Sequence, residues 1–129
     1  MQPNSEFLTP EECIEVDKAL LTSKDKFSAR VAIYALRSLK QIAQSSGQAI
    51  DELQPTQIEH WIYEDESLQG GIDREFKKFF SQLVLASMNP LAQIAQANET
   101  HIESLTVPQV VAWFETRAKE ALRSQADHQ

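Results

Sequence analysis

Two long stretches of the chain place apolar or small residues at the i, i+3, i+4, i+7 spacing of a helix with one buried face. The first holds Phe27, Ser28, Val31, Ala32, Ala35, Leu36, Leu39, Ile42 and Ala43. The second holds Phe76, Phe79, Phe80, Leu83, Val84, Ser87, Met88, Leu91, Ile94 and Ala95. Gly47 is the natural stop for the first, because glycine accepts the left-handed conformation that closes a helix. The second contains Asn89-Pro90, and proline removes one helical hydrogen bond and crowds the preceding turn. The stripe nevertheless stays in phase across Pro90, which predicts one kinked helix.

A shorter apolar stripe follows each long one. Leu105-Thr106-Val107-Pro108-Gln109-Val110 carries a capping box, Thr106 with Gln109, and a hydrophobic staple, Leu105 with Val110. Leu53 and Ile58 repeat the staple, with Gln54 a poorer cap and Pro55 at the first helical position. Leu8-Thr9-Pro10-Glu11-Glu12-Cys13 has the same grammar and predicts an N-terminal helix running to about Leu21. No segment alternates with the period of a strand. The predicted fold is all-α.

The two halves share more than periodicity. A shift of 52 residues lays 26–65 on 78–117, and eleven of those 40 positions are identical, among them Phe27/Phe79, Leu39/Leu91, Gln41/Gln93, Gln57/Gln109 and Trp61/Trp113. Chance gives roughly two to four in a helix-biased composition. The shared polar positions of LxQIAQ and IxxLxxxQ[IV]xxW[IF] are not required by periodicity, so the chain reads as an internal duplication. Each unit is a long helix, a short connection and a shorter helix. Two such units bury their apolar faces most simply against each other, as a pseudo-two-fold bundle of about five main helices. The expected parts of this single domain, 1–129, are an acidic N-terminal helix over 1–23 and a first unit over 24–65. A glycine-containing link over 66–75, a second unit over 76–124 and a tail over 125–129 complete it. Trp61 and Trp113 are expected to anchor the shorter helices in the core.

Composition supports a packed core: of 129 residues, 42% are apolar and only three are glycine. The formal charge of −7 is unevenly spread, at −4 over 1–23, +4 over 24–45, −7 over 46–75, +2 over 76–97 and −2 over 98–129. Lys26, Arg30, Arg37 and Lys40 fall within about 80° of one another on a helical wheel, opposite the apolar face. Ile33 interrupts this basic stripe, about 150° from the centre of the apolar face. Tyr34 flanks it, and Leu85 occupies the equivalent place in the second unit. Two such apolar residues imply that the backs of the long helices are covered. The candidate covers are the N-terminal helix, the same helix of a second subunit, or another protein. The stripe itself fits a face neutralised by Glu11, Glu12, Glu15 and Asp17, a docking face for an acidic protein, or a phosphate contact. Gln82, Asn89 and Ala92 replace Arg30, Arg37 and Lys40 in the second unit, which disfavours a tandem reader of nucleic acid.

Catalytic chemistry is thinly represented. His60, His101 and His128 have no histidine or cysteine partner at i+3 or i+4, and neither they nor the acids at 64–66 predict a metal site. Gly70-Gly71 lacks the spacing of a phosphate loop. Cys13, the single cysteine, excludes an intramolecular disulfide and suits a reducing compartment. MQPNSEFLTP lacks the layout of a secretion signal, and no run is long enough for a membrane span, so a cytoplasmic setting is expected. The functional expectation is a small adaptor or regulatory protein, not an enzyme and without a cofactor, that meets an acidic protein surface. Its expected contact residues are Lys26, Arg30, Ile33, Tyr34, Arg37 and Lys40, with Leu85 as a second apolar position that invites a homodimer. The alternatives are a nucleic-acid-associated regulator using the same stripe, and a small-ligand protein with a cavity near Trp61 and Trp113.

Overall fold

The computed structural model describes residues 8–65 and 74–127. They form five helices, α1 (Pro10–Asp17), α2 (Ser23–Ser46), α3 (Pro55–Tyr63), α4 (Arg74–Ala97) and α5 (Val107–Asp127), and no strand. Short 3-10 turns, Ile50–Glu52 and Ile102–Ser104, precede α3 and α5. Turns and following helices thus start at the same spacing of 52 residues, Ile50 to Ile102 and Pro55 to Val107.

Local chemistry sets most of these boundaries. Thr9 and Glu12 close a capping box on α1: the Thr9 hydroxyl accepts from the Glu12 backbone N–H at 3.2 Å, and the Glu12 carboxylate accepts from the Thr9 N–H at 2.8 Å. Thr106 and Gln109 do the same for α5. At α3, Gln57 serves the Gln54 N–H at 2.8 Å, while the Gln54 side chain makes no cap bond. Gly47 ends α2 at φ 70°, with its N–H on the Ala43 carbonyl. Pro90 lies inside α4, which runs unbroken.

Three boundaries differ from the expectation. Helix α1 stops at Asp17 and not near Leu21, because the Leu20 N–H donates to Glu115 at 2.9 Å and the chain then reaches a fresh cap at Thr22. Helix α5 is not short. It spans 21 residues against nine in α3 and takes in much of the expected tail. The sequence Arg117-Ala-Lys-Glu-Ala-Leu-Arg123 is made of strong helix formers, whereas α3 runs into Glu64-Asp65, whose charges oppose a helix C-terminus. Most of the expected link, 66–73, lies outside the described residues.

Helix α2 is the hub. It packs on α1, α3, α4 and α5, and every residue from Val31 to Leu36 is buried. Helix α4 lies across it and also carries α3, while α1 bridges α2 and α5. The Ile50 N–H donates to the Glu103 carboxylate at 2.7 Å, tying one 3-10 turn to the other. That bond lowers the Glu103 pKa. Trp61 and Trp113 pack against the core but remain half-buried, so they lie at its margin and not within it. Among the described residues no helix is long and apolar enough to cross a membrane.

At Gly47 a Cβ would meet nothing within 4 Å, so any penalty there is conformational. Gly47→Ala is expected to lower stability by about 1–2 kcal/mol, and Gly47→Asn by less, in chemical denaturation. Equal losses for both would contradict a purely conformational origin.

Candidate functional site

The basic stripe of α2 is the seat of α1. Arg37 meets Glu12 with Nε 3.2 Å from Oε2 and Nη2 3.4 Å from Oε1. Arg30 Nη2 lies 3.2 Å from Asp17 Oδ1, and Lys26 Nζ donates to the Asp17 carbonyl at 3.4 Å. Lys40 Nζ donates to the Leu105 carbonyl at 2.7 Å. The guanidinium of Arg37 also stands 5.5 Å above the Tyr34 ring.

Ile33 is 1% exposed and Tyr34 wholly buried, which corrects their expected place on an outer face. The physical reason is that α2 has no outer face at this level. Glu12 of α1 and Val107 of α5 border a small cleft with Ile33, so its cover comes from within the chain. Leu85 is half-buried against the core. As a contact surface for another molecule, the stripe opens only if α1 leaves it. The Tyr34 hydroxyl donates to the Asp65 carboxylate. Burial first, and that hydrogen bond second, raise the phenol pKa far above its ordinary 10.

A different feature stands open. Helices α2, α4 and α5 enclose a groove of about 490 Å³, with Ser28, Leu83, Ala86, Ser87, Trp113 and Arg117 on its walls. Phe27 lines it while 44% exposed. On α4, Phe76 and Phe79 are exposed, the latter by 54%, and Leu122 on α5 by 67%. The Trp113 ring meets Phe114 edge-on at 5.1 Å, and the Arg117 guanidinium lies 4.8 Å over Trp113. Asp25, also on the wall, accepts from the Thr22 hydroxyl at 3.0 Å.

Helical periodicity could not reveal this groove, because Ser28 and Ser87 sit in the apolar stripes and read as ordinary core positions. A usable signal existed in the 52-residue register of the sequence. At the spacing of 52, Ser28 stands opposite Phe80, and Ala86 opposite Tyr34.

Reactive groups are poorly placed for chemistry. His60 and His101 are exposed, and His128 lies outside the described residues. Cys13 is half-buried, and burial together with the nearby Asp17 carboxylate raises its thiol pKa, which disfavours the thiolate. Among the described residues no three His, Cys, Asp or Glu side chains are grouped to hold a metal ion. A second groove of about 690 Å³ beside the 3-10 turns presents Asp51, His101 and Glu103, but the Glu103 carboxylate already holds the Ile50 N–H.

Ile33→Glu is expected to destabilise the fold by more than about 3 kcal/mol, since it buries a charge without a partner. Unchanged melting would return Ile33 to the surface. The Tyr34 phenol makes stability pH-dependent in alkali. Its contribution is fully present below pH 10, the ordinary phenol pKa, and is lost as pH rises, because the unfolded chain releases that proton first. Denaturation at rising pH should therefore show a steeper loss for the wild type than for Tyr34→Phe. Parallel curves would contradict the buried phenol.

Comparison with known proteins adds one finding. No curated protein and no solved structure matches the chain. Residues 8–121 match a family described as NDH complex assembly factor CRR9. The match starts at Leu8, whose buried side chain precedes the α1 cap, and runs through α4 into α5 as far as Ala121. It includes α1 with its ion pairs and every wall of the open groove, and on that extent the chain belongs to the NDH complex assembly factor CRR9 family.

Proposed function

We propose that this protein is a non-enzymatic assembly factor that acts by holding another protein. Membership of the CRR9 family carries the reading, since the family description is that of a factor assisting assembly of the NDH complex. The distribution of apolar surface supports it. Phe27, Phe76, Phe79 and Leu122 are all substantially exposed on α2, α4 and α5, and exposed apolar surface of this kind suits contact with another macromolecule.

The contact expected from sequence was the basic stripe of α2. Its cations are engaged within the chain by Glu12, Asp17 and the Leu105 carbonyl, so the proposal moves the contact to the α2–α4–α5 side. The same engagement weakens the nucleic-acid reading, because these were the charges that would have met phosphate.

Removing the protein from its host tests the proposal. The amount of fully assembled NDH complex, read by native electrophoresis, is expected to fall while its subunits persist in smaller particles. A normal amount of intact complex in its absence would overturn the assembly role.

A further inference from the structure

The groove between α2, α4 and α5 has a filled counterpart in the same molecule. At the spacing of 52 residues, Ser28 corresponds to Phe80, Lys24 to Phe76 and Ala86 to Tyr34. The three aromatic members of these pairs are packed together. Tyr34 and Phe80 lie 5.0 Å apart by ring centroid, and Phe76 stacks on Phe80 at 5.8 Å and 13°. Their small counterparts Ser28 and Ala86 face the open groove. At these paired positions one half carries rings that pack together, and the other carries Ser28 and Ala86 on the wall of an open groove.

The polar end of the site differs in sign. In the filled half, Asp65 accepts a hydrogen bond from the Tyr34 hydroxyl. Its counterpart in the groove is Arg117, held over the Trp113 face and without a carboxylate at salt-bridge distance among the described residues. Asp65 takes a donor. Arg117 offers donors and a positive charge, which a carboxylate matches. Asp25, the acid of the groove wall, is held by the Thr22 hydroxyl at the start of α2.

We propose that this groove docks an amphipathic helix of a partner protein. The helix inserts an aromatic side chain between Ser28 and Ala86 and sets an adjacent carboxylate against Arg117. The filled half supplies the shape of the occupant, a ring carried on a helix, and Arg117 supplies its charge. Exposed Phe27 and the half-buried Phe114 line the groove beside the inserted ring as its apolar edge. The proposal rests on the assembly-factor reading and names the chemistry of the partner segment.

The test uses the full-length protein in its own host. A photoreactive benzoylphenylalanine replaces Phe27, a ring already present at the groove's exposed edge, and a control copy carries it at the exposed Ala112, outside the groove. The cross-linked peptide is sequenced by mass spectrometry. The expected result is one partner peptide from position 27 alone, with helical apolar periodicity, an aromatic residue and an acid within a turn of it. Arg117→Glu should reduce the cross-link at least about tenfold, and reversing the partner's acid to lysine should restore it.

A second variant, Ser28→Phe with Ala86→Tyr, copies the filled half into the groove. It should keep or raise the melting temperature and yet fail to restore NDH complex assembly to a host lacking the protein. Cross-linking to a second copy of this chain, to a peptide without an aromatic–acid pair, or to nothing, would overturn the groove proposal. So would full activity of the filled variant. Intact NDH complex in the host lacking the protein would overturn the assembly reading instead, so the two failures are distinguishable.

Discussion

Helix α2 is covered on every side at its centre, and a covered helix must satisfy each charge it carries. Withdrawing an ion from water costs several kcal/mol unless a partner of opposite charge is set against it. Arg37 sits among the buried residues of α2, and Glu12 answers it from α1. The same Glu12 carboxylate closes the capping box on Thr9, so the start of α1 and its docking onto α2 depend on one side chain. Arg30 with Asp17 is a weaker member of the joint, because Asp17 is largely exposed and water screens the pair. The concentration of acids before residue 23 and of bases after it is the sequence trace of this packing.

The apolar part of the same helix explains the two unequal sides of the molecule. Where α2 meets the start of α4, the rings of Tyr34, Phe76 and Phe80 fill the interface and the phenol is anchored on Asp65. Where α2 meets the later turns of α4 and the body of α5, serine and alanine take the corresponding places and a hollow remains. Protein interiors are close-packed, and an unfilled space forfeits the dispersion contacts its walls would otherwise make. A hollow lined by the half-exposed Phe27 is therefore a poor device for stability.

The unbroken course of α4 through Pro90 and the length of α5 follow from similar competition between local and tertiary terms. Proline removes one helical hydrogen bond, but Leu91 and Ile94 beyond it are wholly buried, and that burial favours continuing in phase. Helix α5 outruns α3 because its later residues are intrinsic helix formers, and it thereby supplies the wall of the groove that carries Trp113 and Arg117.

The sequence by itself determined the all-helical fold, the caps at Thr9, Thr106 and Gly47, the core faces of α2 and α4, and the placement of opposite charges on α1 and α2. These are decided by spacing along one chain segment and by bonds spanning three or four residues. The tertiary structure alone decided that Ile33 and Tyr34 are inside, that the basic stripe is answered within the chain, and that Ser28 and Ala86 border a hollow. Helical periodicity reports the direction a side chain takes from its own axis. Whether that direction ends in a neighbouring helix, in water or in an unfilled space depends on where the other axes pass, and only packing sets that.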